Sequence, residues 1–468
     1  MGKRIQAAQA TDPQSHDAEP GHHPPPHRRP PGRKPGPAPQ HETFGRHLSQ
    51  LVRHCFPLLN GWFDALPDPR RQDRCTYEAR HLWWQILLTF LLRGGSRNAF
   101  DADRNTGQTP ANVARLCGRD WDEERLGARR TVTCSGNAAH HASRVDVSAV
   151  AEIPLLMTRR LMQMRLLDGS RLFGRWWLIA VDGTLRDRGL ATEAGEARHR
   201  YVLAASLVGP FGMSFPLMSE FMDMRDPVRD KEDCELNAFG RLALRLRDAF
   251  PRLPVCLLLD GLYPVKPVFD TCAGYGWKFI ATLREGRQPL AYGEAVQTMM
   301  MSPSNCLRCQ REGEDGPVGQ TLRWTEDVPF GKHAFGVLFS GEISPKAATL
   351  WVWATNLRLT HGRVYEIANN GGRARNSVEG VFNVEKNGGF GLEHTFCANE
   401  KASQNYHLMM QVAFILWQLL AKGVLHRLTQ ACRKVTDVKL VELLRTSLLC
   451  VPITDDAPTF GQLRFSSA

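Results

Sequence analysis

Long apolar runs are missing from this chain of 468 residues. Its two most apolar stretches, residues 81–92 and 408–421, contain glutamine and fall short of the ~18 uninterrupted apolar residues that a membrane span needs. Residues 1–20 lack the apolar core of a signal peptide, and Gln6 does not fit the myristoylation pattern. We therefore expect no membrane span, no export and no lipid anchor, and we predict a cytoplasmic protein.

Closely spaced cysteines are scarce as well. The 12 cysteines are scattered along the chain, and the C-x-x-C motif at Cys306 and Cys309 has no second pair nearby to complete a four-ligand zinc site. This usage fits reduced thiols in a reducing compartment and excludes a disulfide-stapled module.

Negative charge is in deficit. The net charge is +11 and the isoelectric point is about 9.2, which favours a polyanionic partner and, first among these, nucleic acid. Hydrophobic residues make up 43% and charged residues 23%, the balance of a soluble globular protein with about three structural units at ~150 residues each.

The texture of the sequence changes along the chain. Residues 1–40 hold ten prolines and almost nothing apolar, so they should form a disordered arm. Residues 41–170 carry apolar residues at three-to-four spacing and contain no lysine among their basic residues. This spacing predicts a helical domain, and an arginine-rich helical unit ahead of a sheet would suit DNA binding.

From about residue 171 the pattern predicts strands and helices in the order β-β-β-α-β-α-β, which is typical of a mixed α/β sheet flanked by helices. Residues 171–286 and 347–425 should form this sheet-containing domain. Glycine, proline and serine recur between residues 287 and 346, which we interpret as a β-rich insertion with short strands. Residues 426–468 are predicted to be a C-terminal tail.

Two acidic residues share one setting in this domain. Asp182 and Asp260 are each the first polar residue after an apolar strand, and each precedes a glycine. Strand ends are where ligands bind in sheets with crossovers, so the two carboxylates are candidates for one site. The alternative for either residue is an ordinary turn, in which the Asp side chain bonds the backbone two residues on.

A third carboxylate lies on a predicted helix over residues 364–384. Arg375, Glu379, Phe382 and Lys386 follow one another at spacings of four, three and four, which places them along one side of a helix. Three carboxylates would form an oxygen-rich site of the kind that hard divalent cations prefer. A solvated salt-bridge ladder is the alternative.

These residues carry a resemblance. The segment resembles the glutamate signature of bacterial insertion-sequence transposases of the DDE class, in which Arg, Glu and Lys follow a tyrosine at the spacing of Arg375, Glu379 and Lys386; the tyrosine position is Gly372 here. Further matches follow in the expected order, with the carboxylates separated by 78 residues (182 to 260) and 119 residues (260 to 379): Val181–Thr184, Leu259–Tyr263, Ala354–Leu357 and Asn387–His394.

The resemblance implies a ribonuclease-H-like core with two Mg²⁺ or Mn²⁺ ions held by Asp182, Asp260 and Glu379. It implies binding of double-stranded DNA at transposon terminal inverted repeats and at a target, strand cleavage and strand transfer, and a homodimer when ends are paired. Arg373, Arg375 and Lys386 would contact DNA, and Trp324 in the insertion would be the aromatic that stacks a flipped base.

Two other functions remain open at this stage. One is a nuclease of the same core that does not join strands, and the other is a DNA-binding protein with a decayed active site. Glu235, at the start of a predicted helix, is the next acidic residue to test.

Overall fold

The computed structural model describes residues 44–118, 131–187, 199–222, 231–313, 316–425 and 436–454. The predicted arm over residues 1–40 lies outside these ranges. The first described region is helical, as predicted, and its helices are α1 Phe44–Cys55, α2 Leu59–Ala65, α3 Ala79–Leu91, α4 Arg97–Asp103, α5 Thr109–Leu116, α6 Ser135–Ala142 and α7 Val147–Gln163.

The second region is built on one sheet with nine strands among the described residues. The strands are β1 Trp177–Asp187, β2 Arg200–Val208, β3 Ser214–Met222, β4 Val255–Leu259, β5 Lys278–Thr282, β6 Cys306–Gly313, β7 Gly316–Phe330, β8 His333–Ile343 and β9 Ala348–Thr355. The helices that follow β1 in the described chain are α8 Lys231–Ala249, α9 Lys266–Tyr275, α10 Pro289–Met301, α11 Arg375–Asn387, α12 Glu400–Gln418 and α13 Asp437–Cys450.

The strand order is β3-β2-β1-β4-β5-β9-β8-β7-β6. Strands β1, β2 and β3 form an antiparallel meander, whereas β4 and β5 continue parallel to β1. Helix α8 forms the crossover from β3 to β4, and α9 forms the one from β4 to β5. The predicted mixed α/β sheet flanked by helices is confirmed.

The insertion extends this sheet. Strand β9 pairs with β5 on one side and with β8 on the other, so the antiparallel strands β6 to β8 continue the same sheet. Strands β7 and β8 are 15 and 11 residues long, and the prediction of short strands here was wrong. The glycines of this segment suggested breaks between short strands. Antiparallel pairing along most of β7 and β8 stabilises both strands despite these glycines.

Helix α12 joins the helical region to the sheet. Nearly every residue of α12 is buried, because the helix packs against α3 and α7 and reaches β3. A helix that is buried on all sides is apolar all round, and this explains the long apolar stretch near residue 410. Among the described helices, none combines the length and the apolar character that crossing a membrane requires.

Candidate functional site

Asp182 lies within β1, and Asp260 directly follows the end of the neighbouring strand β4. Strands β1 and β4 are parallel and pair Ala180 with Leu258, so each aspartate lies two residues beyond that pair. Neighbouring strands are about 4.8 Å apart, which places the two Cα positions side by side where β4 ends. The register makes the two aspartates neighbours, but the expectation that Asp182 follows the end of its strand was wrong, because β1 continues to pair with β2 as far as Asp187.

Both aspartates also bond their local backbone. The Gly183 N–H donates to Asp182 Oδ1 over 3.1 Å, and the Leu262 N–H donates to Asp260 Oδ1 over 2.7 Å. The second bond is the turn bond of the alternative interpretation, but it uses one carboxylate oxygen only. The other oxygen, Oδ2, lies 3.9 Å from Nη2 of Arg284.

The glycine after each aspartate makes room for a second charged side chain. A Cβ added at Gly183 would stand 2.6 Å from Oε1 of Glu235, and one added at Gly261 would stand 2.7 Å from Nε of Arg284. The two Asp-Gly sequences therefore allow Glu235 and Arg284 to approach the strand edge closely. Glu235 is buried on α8, and its position beside Gly183 makes it a fourth carboxylate of the site.

Glu379 lies on α11, paired with an arginine. Its Oε1 accepts hydrogen bonds from Nη1 and Nη2 of Arg375, both 2.7 Å long, as the spacing of four residues predicts. Arg375 is buried, whereas about half of the Glu379 side chain is exposed. The arginine thus holds Glu379 at the boundary between core and solvent.

The charges of these groups act on one another. Burial raises the pKa of Asp182 to about 6, the positive charge of Arg375 opposes this, and the carboxylates of Asp260, Glu379 and Glu235 add to it. The negative charges of three other carboxylates therefore act on Asp182, and a divalent cation bound beside Asp182 would relieve this repulsion.

The donor set suits a hard cation, although the side chains are not gathered around one point. Among the described residues, no three His, Cys, Asp or Glu side chains are already arranged to hold a metal ion. Asp182, Asp260 and Glu379 would hold an ion if Glu379 left Arg375 for it, and Glu235 could add a fourth oxygen donor.

A cleft of about 660 Å³ opens beside Glu379. It is lined by the loop after β5 with Arg284 and Arg287, by Tyr292 of α10, and by Trp351 of β9. Cationic and aromatic side chains next to the carboxylates are the groups that bind a phosphate backbone and stack on bases.

Three residues predicted to contact DNA are placed differently from one another. Arg373 is bound to Glu342, with Nε 3.1 Å from Oε1, and Lys386 Nζ lies 3.1 Å from Oε1 of Glu393. About a fifth of the Arg373 side chain and about a third of the Lys386 side chain are exposed. Arg375 forms its ion pair with Glu379.

The predicted base-stacking tryptophan is a core residue. Trp324 on β7 is only 4% exposed, so it cannot offer its face to a base in this structure. The tryptophan that lines the cleft with Glu379 is Trp351.

No protein-family model matches this chain, and no curated protein matches it.

Proposed function

We propose that this protein is a DNA transposase of the DDE class, with a ribonuclease-H-like catalytic domain that cleaves and joins DNA strands. One observation supports the proposal: in the parallel register of the central strands β1 and β4, Asp182 and Asp260 are neighbours, and the charge of Glu379 acts on Asp182. The strand order β3-β2-β1-β4-β5, with its antiparallel meander and two parallel crossovers, supports the proposal of a mixed α/β catalytic core.

Asp182, Asp260 and Glu379 would hold two Mg²⁺ or Mn²⁺ ions, which when bound activate a water or a 3′ hydroxyl and stabilise the leaving oxygen. The protein itself supplies no nucleophile in this chemistry. The charges of Asp260, Glu379 and Glu235 all raise the pKa of Asp182, and this supports Asp182 as the carboxylate shared by the site. Arg375, once released by Glu379, would lie beside the cleft with its cation available to a phosphate.

Double-stranded DNA is the proposed substrate, as terminal inverted repeats and as target. The net charge of +11 favours a polyanion, and Arg284 and Arg287 line the cleft next to the carboxylates. Cleavage at paired ends would involve a homodimer.

The test is DNA cleavage by the full chain on its flanking terminal repeats, with Mg²⁺ or Mn²⁺. Asp182→Asn, Asp260→Asn and Glu379→Gln should each abolish cleavage while DNA binding is retained, since each removes a charged metal ligand. Asp248→Asn is the matched control: Asp248 is exposed and lies thirteen residues after Glu235 on α8, about 20 Å away.

Cleavage that persists in one of the three variants would remove that residue from the metal site. Hydrolysis without joining of a 3′ end to target DNA would favour the nuclease, and end binding without any cleavage by the wild type would favour the DNA-binding protein with a decayed site.

A further inference from the structure

The Tyr263 side chain ends in a buried hydroxyl group without a partner. Tyr263 is 0% exposed, and no donor or acceptor of the described residues lies within hydrogen-bond distance of its hydroxyl oxygen. A buried hydroxyl that makes no hydrogen bond costs free energy, and phenylalanine would fill the same space without that cost. We therefore expect the Tyr263 hydroxyl to gain a hydrogen-bond partner when a ligand binds nearby.

The surroundings of this hydroxyl identify the partner. The Tyr263 ring packs against Phe239 of α8, with ring centroids 5.6 Å apart, and Glu235 lies one helical turn before Phe239. Burial raises the pKa of Tyr263 well above 10, and among the charged groups Glu235 contributes most, followed by Asp182 and Asp260. The hydroxyl therefore stays protonated, and a hydrogen bond donated to a carboxylate oxygen would satisfy it.

Glu235 is held close to the strand edge by the absence of a side chain at Gly183. The Glu235 carboxyl group thus lies against the backbone of β1, and its negative charge acts on the Tyr263 hydroxyl. If Glu235 binds a metal ion, its carboxylate needs a hydrogen-bond donor that fixes its orientation. Carboxylates that bind metal ions in proteins usually have such a partner.

We propose that Tyr263 is a positioning residue of the metal site: its hydroxyl donates a hydrogen bond to the Glu235 carboxylate when a divalent cation occupies the site, and it orients Glu235 as the fourth oxygen ligand. This inference rests on the proposed function, since it needs a cation at Asp182, Asp260 and Glu379.

The test is a Mg²⁺ titration of the full chain followed by thermal unfolding, which needs no DNA and no turnover. In Tyr263→Phe the melting temperature without metal should stay unchanged or rise, because a hydroxyl without a partner has been removed. The Mg²⁺ concentration at half-maximal stabilisation should rise about 10–100-fold, the effect typical of losing the partner of a metal ligand.

Tyr406→Phe is the matched control. Tyr406 is also buried, on α12, and a hydrogen bond with Arg97 satisfies its hydroxyl group. This variant should lower the melting temperature without metal and leave the Mg²⁺ midpoint unchanged. A Tyr263→Phe variant that behaves like this control would overturn the inference, because it would show a purely structural tyrosine.

A double-mutant cycle tests whether Tyr263 acts through Glu235. Glu235→Gln and Gly183→Ala should each weaken Mg²⁺ binding, the second because its Cβ displaces the Glu235 carboxyl group. Adding Tyr263→Phe to Glu235→Gln should then produce no further shift in the midpoint. Additive shifts would overturn the inference, and they would do so even if either single variant were less stable.

The two proposals fail in different ways. A wild-type chain that Mg²⁺ and Mn²⁺ do not stabilise at any concentration would overturn the proposed function and, with it, the role of Tyr263. A wild type that saturates with Mg²⁺, alongside a Tyr263→Phe variant with the same midpoint, would overturn the role of Tyr263 alone.

Discussion

Arg373 and Lys386 were both predicted to contact DNA, but their ion pairs differ in burial. Arg373 pairs with a buried carboxylate, whereas Lys386 pairs with a partly exposed one. Arg373 binds Glu342, whose side chain is 3% exposed and which also accepts a hydrogen bond from Arg311 over 2.9 Å. Arg373→Ala should lower the free energy of unfolding by roughly 3 kcal/mol, because it leaves a buried carboxylate with one cation fewer. Chemical denaturation measures this, with the exposed Arg308→Ala as control. An equal loss of unfolding free energy in both variants would show that the pair between Arg373 and Glu342 does not stabilise the fold.

Lys386 is the more exposed of the two cations. Its partner Glu393 is itself partly exposed, so the pair can open when a phosphate approaches. Lys386→Ala should weaken DNA binding and reduce the slope of log K against log salt by about one. Binding measured across a salt series checks this, and an unchanged slope would show that Lys386 makes no phosphate contact.

The raised pKa of Asp182 gives the site a pH dependence. The pKa rises from its ordinary 3.8 to about 6 in the fold, so the protonated form stabilises the metal-free protein at low pH, and this contribution is lost as the pH rises through 6. A cation needs the opposite, deprotonated form. Below about pH 6, Mg²⁺ affinity should therefore fall about tenfold per pH unit.

The measurement is the Mg²⁺ midpoint of thermal stabilisation at about pH 5 and at about pH 8. Asp182→Asn should also raise the melting temperature without metal at the higher pH and not at a pH near 4, since it removes the buried charge. A Mg²⁺ midpoint that does not change with pH would contradict a role for Asp182 as ligand.

At the scale of elements, the helix that carries Glu379 is shorter than its pattern. The sequence predicts one helix over residues 364–384, but the chain forms a single helical turn Val364–Glu366, a π turn Ile367–Gly371 and a 3₁₀ turn Gly372–Ala374 before α11 begins at Arg375. The backbone of Gly371 leaves helical angles at φ −100° and ψ −83°. Periodicity of the sequence does not reveal such a break.

Gly372 explains the missing tyrosine of the resemblance. A Cβ at Gly372 would stand 2.5 Å from Cε2 of Trp353, so the indole occupies the space of any side chain here. Gly372→Ala should lower the free energy of unfolding by roughly 1–3 kcal/mol through overpacking. Gly380→Ala in α11 meets nothing within 4 Å and should raise it by about 1 kcal/mol. Thermal unfolding of both checks this, and a stabilised Gly372→Ala would contradict the packing argument.

At the scale of the whole molecule, distant segments assemble units that the order of the sequence separates. Helix α13 lies in the segment predicted as a C-terminal tail, yet Asn112 of α5 donates to the carbonyls of Leu448 and Val451 and accepts from the Ile453 N–H. The helical region therefore includes residues from both ends of the described chain.

The order of strands and helices along the chain and the two Asp-Gly pairs could be predicted, because apolar runs that end in a polar residue are local signals. The order of the strands within the sheet could not, because it depends on pairing between residues that are distant in the sequence. The placement of Glu235 and Tyr263 beside the two Asp-Gly pairs could not either, since it depends on how α8 crosses the sheet. The same limit applies to Trp324, which is buried, and to Trp351, which lines the cleft. Their positions depend on which face of the extended sheet the helices cover.

In the proposed mechanism Asp182, Asp260 and Glu379 hold divalent cations together, and anomalous diffraction from crystals soaked in Mn²⁺ shows whether they do. We predict Mn²⁺ bonded to oxygens of all three carboxylates, with Glu379 released from Arg375. Crystals at saturating Mn²⁺ in which these carboxylates bind no ion, and in which Glu379 still pairs with Arg375, would contradict it.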